Sequence, residues 1–475
     1  MLNLRTKMMG RRRFLGTTLA AGATAAGPSF LPTRALGAVA SADKLNLAVI
    51  GVGGRGHGNL LPDLLQLNAH CNVVALCDVD SAAISNAKAY VAKNVANSVD
   101  AIARFKIYDD YRKLLDQEKS LDGVVIAVGN RWHVPMSKAF MKAGKHVYCE
   151  KPLGLSISEL RELRELTRTT KNVVTQIGAQ GAAGNGFRRC IEIIQAGVLG
   201  QVREVHCWTT RECQPSQNRP TGDDPVPAGL NWDFWLGQSP YRPYKQGIYT
   251  GGLSNWCRWF DFGDGTVADM GIHSFNLAVR ALELESPMRV EAKIPEPVLE
   301  TYVSKGRFRF DFAAKGKRQA VSLFWYDGKD ALPPSEVTQG LLSTYKSVPE
   351  HGCVYLAENG ILWTDPWGQG GCLRLAGEAK LRGVLDHEAC KPVPVTLPRV
   401  EDQNHMAEWL RACKLGTGTF SDFDIGGRVT QICLTGTLAL RLGRPIEYDG
   451  ETMKVIGAPE ADLLIRKPQR TQWFL

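Results

Sequence analysis

Asp269 and His273 stand four residues apart in ADMGIHSFNLAVRAL, residues 268 to 282, and on a helix that spacing puts both side chains on one face. A histidine near a helix start is kept neutral by the helix dipole, which is the state a proton acceptor needs. Asp269 could orient the imidazole or act in a relay; the plainer alternative is a capping aspartate beside a core histidine. Lys151 is the second reactive candidate. In Glu150-Lys151-Pro152 it follows an apolar strand at the carboxyl edge of a sheet, where ligands bind in open α/β folds. There it could bind a substrate hydroxyl or lower the pKa of a neighbouring base, with a solvated surface charge as the alternative.

A third constellation supplies the partner for such chemistry. VIGVGGRG, residues 49 to 56, carries Gly51-x-Gly53-x-x-Gly56 at the end of an apolar strand and the opening of a helix. Glycines there let the backbone turn tightly and approach a pyrophosphate resting on the helix N-terminus. Gly54, Arg55 and Glu150 are grouped with this cofactor site. Asp78 closes the second strand, 22 residues beyond Gly56. A carboxylate at that place accepts from the ribose and repels a 2′-phosphate, so NAD is expected in preference to NADP, with Arg55 as a residue that weakens the preference. The pattern predicts no metal site, since no ligand spacing of the zinc kind is present.

Aromatic residues crowd the middle of the chain. Trp208, Trp232, Trp235, Trp256 and Trp259 are interleaved with Tyr241, Tyr244 and Tyr249. Flat rings beside Asn231, Asn255 and Arg258 suit stacking on the C–H face of a sugar, and Trp232, Trp256 and Arg258 are the substrate-binding candidates. The same rings could equally form core or subunit contacts.

The elements that must position these groups follow a regular grammar. LNLAVIG, NVVALCD, DGVVIAV, HVYCEKP and NVVTQIG read as buried parallel strands. Leu60, Leu61, Leu64 and Leu65 mark one intervening helix; Ile157, Leu160, Leu163 and Leu166 mark another. The fold class predicted is α/β, with a doubly wound Rossmann sheet over residues 41–180. Beyond it, residues 181–475 change period: RFRFDF alternates as a half-buried strand, and Asn359-Gly360 in VYLAENGILWT is a hairpin turn. A C-terminal, open, mostly antiparallel sheet is expected, followed by helices near 403–414 and 425–441.

Residues 1–40 read differently. Arg11-Arg12-Arg13-Phe14-Leu15 matches a twin-arginine export signal; a weakly apolar stretch and the small-residue sites Ala38-Val39-Ala40 and Ala35-Leu36-Gly37 follow. The stretch is short and cut by Pro28 and Pro32, so no stable membrane span is expected. The expectation is export to the periplasm, or otherwise out of the cytoplasm, through the twin-arginine translocase. Residues 1–40 hold six basic and no acidic residues, so the chain's net charge of +9 falls to +3 without them. That is ordinary for an enzyme and gives no reason for a nucleic-acid partner. The twelve cysteines are scattered without a CxxC pair and are read as buried thiols.

Together VIGVGGRG, HVYCEKPL, NWDFWLG and Asp269-x-x-x-His273 resemble the Gfo/Idh/MocA oxidoreductase family, above all its exported, glucose-fructose oxidoreductase-like members. The resemblance implies hydride transfer between a sugar or polyol carbon and NAD, with His273 as general base, Asp269 as its partner and Lys151 positioning the substrate. It also implies a residue near the nicotinamide at His133, and homodimer or homotetramer contacts through the open sheet. Outside the cytoplasm no NAD pool regenerates a released cofactor. Tightly held NAD is therefore expected, in a sugar oxidoreductase or, alternatively, in a redox-neutral glycosidase or lyase. A pure NAD or sugar binder is the third reading, and it has no need of a base.

Overall fold

The structure is a computed structural model, and it describes residues 44–470 apart from 97, 212 and 343, together with Trp473. The export signal read in residues 1–40 lies outside the described residues.

Six strands form the first sheet: β1 (Leu45–Ile50), β2 (Cys71–Cys77), β3 (Lys106–Tyr108), β4 (Gly123–Ile126), β5 (His146–Cys149) and β6 (Thr175–Ile177). All pair in parallel, in the order β3-β2-β1-β4-β5-β6. This is the Rossmann order, whose crevice opens at the carboxyl ends of β1 and β4, where the order reverses. The apolar runs are buried on both faces, as a parallel sheet requires: Leu47, Val49 and Val125 point to one side and Ala48, Ile50 and Ile126 to the other. β3 was not legible as a strand; Lys106 and Ile107 are exposed in this short edge strand.

Ten strands form the second sheet: β7 (Val202–Thr209), β8 (Arg289–Lys293), β9 (Gly306–Phe312), β10 (Val321–Asp327), β11 (His351–Ala357), β12 (Gly360–Thr364), β13 (Cys372–Leu375), β14 (Arg382–Gly383), β15 (Ile446–Asp449) and β16 (Lys454–Val455). Their order is β14-β13-β12-β11-β7-β10-β9-β8-β15-β16, antiparallel except for β7 beside β10. The expected alternation is present in β9, where Phe308, Phe310 and Phe312 are buried and Arg307 and Arg309 are exposed. The Asn359-Gly360 turn joins β11 to β12 with Ala357 opposite Gly360. The second face is not fully open: Val337 and Leu341 of helix Ser335–Leu342 pack with Trp208, Tyr326 and Trp363.

Two late helices tie the sheets together. Asn404 caps helix His405–Leu415 through Ala407, and left-handed Gly416 ends it; Asp422 and Gly443 bound helix Phe423–Leu442 in the same way. Helix Phe423–Leu442 lies in the core shared by both sheets, with Ile432 and Leu438 beside Ile177, Val290 and Phe310. Helix His405–Leu415 instead covers the opposite face of the first sheet, placing Trp409 and Leu410 among Val49, Leu76 and Tyr148. The described residues make one compact unit. All twelve cysteines are free, and nine of them are buried. Among the described residues no helix is long and apolar enough to cross a membrane.

Trp409→Ala removes a fully buried ring that stands edge-on to Tyr148 at 5.9 Å. It is expected to cost about 3–5 kcal/mol of stability, read as a lowered denaturant midpoint. An unchanged midpoint would mean that helix His405–Leu415 does not support the first sheet.

Candidate functional site

The carboxyl edge of the first sheet gathers the cofactor loop. Gly51 leaves β1 with φ +83°, and a Cβ there would meet the Ala127 carbonyl oxygen at 2.5 Å; one at Gly56 would meet the Gly51 oxygen at 2.0 Å. Those two positions accept nothing larger than glycine. A Cβ on Gly53 or Gly54 would meet nothing within 4 Å, so the loop's outer side is an open cradle of backbone, the shape a pyrophosphate fills. A widened π-helical turn, Gly56–Leu60, then leads into helix Leu61–Gln66. Asp78 is tied to this loop. Its Oδ2 accepts from the Val52 N–H at 2.8 Å and its Oδ1 from the Asp80 N–H at 3.0 Å, which fixes the loop to the end of β2. Each oxygen keeps a further lone pair for a hydroxyl donor. Burial raises the Asp78 pKa to about 6, with the two N–H bonds opposing it.

The reactive groups meet beside this loop. Lys151, two residues past β5, donates to Asp269 Oδ1 at 2.5 Å and to the Asp269 carbonyl at 2.9 Å. Both side chains are largely buried, with exposures of 15% and 11%. On its other oxygen Asp269 receives Arg211 Nη1 at 3.3 Å. Burial alone would raise the Asp269 pKa, but the charge and hydrogen bond of Lys151, then His273 and Arg211, hold it below the usual carboxylate range. The helix expected to carry both Asp269 and His273 is in fact broken. Asp269 ends helix Gly265–Asp269, Met270 intervenes, and His273 stands in the first turn of helix Gly271–Ala281. The imidazole is 8% exposed and has no hydrogen-bond partner among the described residues. Burial first, then Lys151, Arg55 and Arg211, drive its pKa well below 6.5 against the pull of Asp269. A buried, neutral and unengaged imidazole is a ready proton acceptor.

Three contacts hold this arrangement. Arg55 Nε donates to Glu150 Oε1 at 3.0 Å, joining the cofactor loop to the segment that carries Lys151; Gln180 donates to the same oxygen at 3.2 Å. Buried Asp327, at the end of β10, accepts from the Thr266 hydroxyl and from the Tyr302 hydroxyl at 2.9 Å, which anchors the short helix ending in Asp269. His133 lies buried, with Nδ1 2.6 Å from the Pro152 carbonyl and Nε2 3.0 Å from the Val128 carbonyl. Its ring therefore braces the Lys151 segment from behind.

The nominated aromatic residues are largely engaged with one another, although Cys257, between Trp256 and Arg258, faces Asp269 and Lys151. Trp232 is 6% exposed, gives its N–H to the Arg242 carbonyl at 2.7 Å and stacks on Trp235 at 4.6 Å. With Trp259, Tyr244, Tyr249 and the half-buried Trp256 it forms a small aromatic core of its own. The Arg258 guanidinium is bound to Gln214, Pro215 and Thr301 and is 7% exposed. The ring beside His273 is Trp367, at 6.2 Å and 38% exposed. Its turn is built by Asp365, whose Oδ1 accepts from the N–H groups of Trp367 and Gln369, and Gln369 reaches the Gly181 carbonyl at 2.9 Å. Sequence reasoning missed Trp367 and Arg211. Asp365-Pro366-Trp367-Gly368 is a legible turn signal, but nothing in it points to residue 273.

A Rossmann domain with an open backbone cradle at its glycine turn, joined to a second, mixed sheet, has the architecture of a dinucleotide-binding protein. Residues 45–177 match the NAD-binding Rossmann-fold domain of the Gfo/Idh/MocA oxidoreductase family, and residues 206–316 match that family's C-terminal alpha/beta domain. The matches cover more than half of the 475 residues, and the chain belongs to this family, with NAD as its cofactor. A glycosyl hydrolase family 109 protein of Stenotrophomonas maltophilia is 36% identical over 151 residues, 32% of this chain and 31% of that one. An inositol 2-dehydrogenase of Salmonella paratyphi B is 28% identical over 163 residues, 34% of this chain and 45% of the other. The chain thus matches less than half the length of either relative. Among solved structures, levoglucosan dehydrogenase in complex with NADH and levoglucosan aligns at TM-score 0.55 and 15% identity, covering 85% of this chain and 99% of that one. The aldose-aldose oxidoreductase of Caulobacter crescentus aligns at TM-score 0.54 and 17% identity over the same shares. Both likenesses concern the fold.

Two outcomes are expected of the site. His273 should stay neutral well below pH 6.5 in a histidine NMR titration; Lys151→Met should move its midpoint up and Asp269→Asn should move it down. Shifts of the opposite sign would show that these charges do not face the ring. NAD affinity should fall as pH drops through about 6 and Asp78 protonates. Asp78→Asn should weaken binding roughly tenfold or more and flatten that pH dependence. A titration that stays steep in the variant would place the ribose on another group.

Proposed function

We propose that this protein is an NAD-dependent oxidoreductase that takes a hydride from a hydroxyl-bearing carbon of a sugar or polyol. The observation that carries the reading is the buried, neutral, unengaged His273 beside the Lys151–Asp269 pair at the edge of the cofactor loop. Residues 51–56, Asp78 and Glu150 fit the nucleotide through the open backbone at Gly53 and Gly54. When bound, NAD accepts the hydride that leaves the carbinol carbon with its electron pair. Lys151 donates a hydrogen bond to the carbinol oxygen and stabilises its developing negative charge. His273 takes the hydroxyl proton at a ring nitrogen, leaving a carbonyl. Asp269 holds Lys151 in place and balances the imidazolium once it forms. Trp367 offers an exposed ring beside His273 for the C–H face of the sugar.

The relative named inositol 2-dehydrogenase supports a polyol-type substrate. The glycosyl hydrolase family 109 relatives favour a second reading on the same residues. In it the oxidised sugar gives up the acidified α-proton and its glycosidic partner leaves protonated, water adds across the double bond that forms, and the carbonyl takes the hydride back, so no net redox change remains. In either case we propose that the protein is exported by the twin-arginine route, works as a homo-oligomer and keeps its NAD bound. The signal-like Arg11-Arg12-Arg13-Phe14-Leu15 supports the first of these.

The test uses protein purified without added nucleotide and mixed with free sugars, polyols and glycosides while nicotinamide absorbance and products are followed. One equivalent of reduced nicotinamide that then persists supports the oxidoreductase; glycoside cleavage over many turnovers without lasting absorbance supports the second reading. His273→Ala should lower turnover by about a hundredfold or more in both cases. An unchanged rate would remove His273 from the mechanism.

A further inference from the structure

Arg211 is an unusual neighbour for a catalytic ion pair. It follows β7 by two residues, with its N–H on Thr209 Oγ1 at 3.3 Å, and Thr209 is in turn bound to the His351 ring at 2.9 Å. Its backbone is therefore fixed at the end of the second sheet. Its side chain is half exposed, with one nitrogen 3.3 Å from Asp269 Oδ2. Among the described residues, Nε and Nη2 have no hydrogen-bond partner. That leaves one free edge of a planar fork, at the rim of the space beside His273.

The charges around this space do not balance. Lys151 and Arg211 both turn to Asp269, while Arg55, paired with Glu150, also faces Asp63. At Asp269 two cations thus face one carboxylate, and His273 is neutral. The excess is a single positive charge next to the substrate position. Lys151 is committed to Asp269 and the carbinol oxygen, so Arg211 is the cation free to meet a further group of the substrate. A planar guanidinium matches a carboxylate in shape through two parallel N–H···O bonds. One carboxylate cancels the excess, whereas a phosphate dianion would overshoot it.

We propose that the sugar this site oxidises is a sugar acid, and that Arg211 selects it by gripping its carboxylate through Nε and Nη2. The proposal rests on the reading of the site as one that oxidises a sugar carbon.

The experiment compares NAD-loaded enzyme on matched sets of one sugar series at a time: the uronate, its neutral uronamide, the parent aldose and the aldose 6-phosphate. The wild type should prefer the uronate to the uronamide in kcat/KM by roughly tenfold to a hundredfold. In Arg211→Gln that ratio should collapse to about one, and Arg211→Lys, which keeps the charge but loses the fork, should recover part of it. Calorimetric binding of uronate and uronamide to NADH-loaded protein gives the same ratio without turnover. If no sugar is oxidised, the proposed function fails, and the binding ratio still decides on Arg211. Equal affinity for uronate and uronamide, a preference for the phosphate, or a ratio unchanged in Arg211→Gln would each overturn the proposal.

Discussion

The bond between Lys151 and Asp269 is the contact on which the site depends, because both side chains are largely buried and the Lys151 ammonium has no other carboxylate partner among the described residues. Removing Asp269 leaves that charge buried and unpaired, at a cost of about 3–5 kcal/mol, whereas Asp269 without Lys151 keeps Arg211. The bond also spans the fold. Lys151 leaves the Rossmann sheet just past β5, and Asp269 closes a short helix anchored by Asp327 from the second sheet. Lys151 meets both the carboxylate and the carbonyl of Asp269, so it fixes the helix end as well as the side chain. His273 begins the next helix only four residues on, and its position follows from that anchoring.

The cofactor loop is locked to the same assembly. Glu150 takes Arg55 from the loop, Asp78 takes the Val52 N–H, and His133 supports the Pro152 carbonyl from below. A displacement of the glycine turn is therefore felt one residue away from Lys151. This coupling matters for hydride transfer, where small misplacements of the reacting atoms are costly. Asp78 keeps the loop in shape, and the same carboxylate is the one proposed to take the ribose hydroxyl.

The parallel sheet, the glycine turn, the hairpin at Asn359-Gly360 and the two late helices were legible because each rests on local periodicity or turn chemistry. Lys151, Asp269 and His273 were legible as reactive types, and the structure brings them together. What the sequence hid is non-local. Asp269 and His273 belong to two helices, since Met270 breaks the run; helix His405–Leu415 packs on the first sheet from far along the chain. Trp232 and Arg258 have the composition of a sugar site, yet the indole N–H and the guanidinium are consumed by Arg242, Gln214 and Pro215. Trp367 and Arg211 reach the site only because β7, β11 and β12 are neighbours in space, which no short window records.

The electrostatics of the site then follow from burial. The imidazole of His273 is buried and faces the cations Lys151, Arg55 and Arg211. Burial and Lys151 keep it neutral against the pull of Asp269. If Asp269 were free of Lys151, its charge would pull the resting histidine toward protonation and leave less of the acceptor form. In the proposed mechanism, losing Lys151 would also take from the carbinol oxygen the donor that makes its proton easier to remove. On that proposal the pair sets both ends of one proton transfer, so neither residue can be optimised without the other.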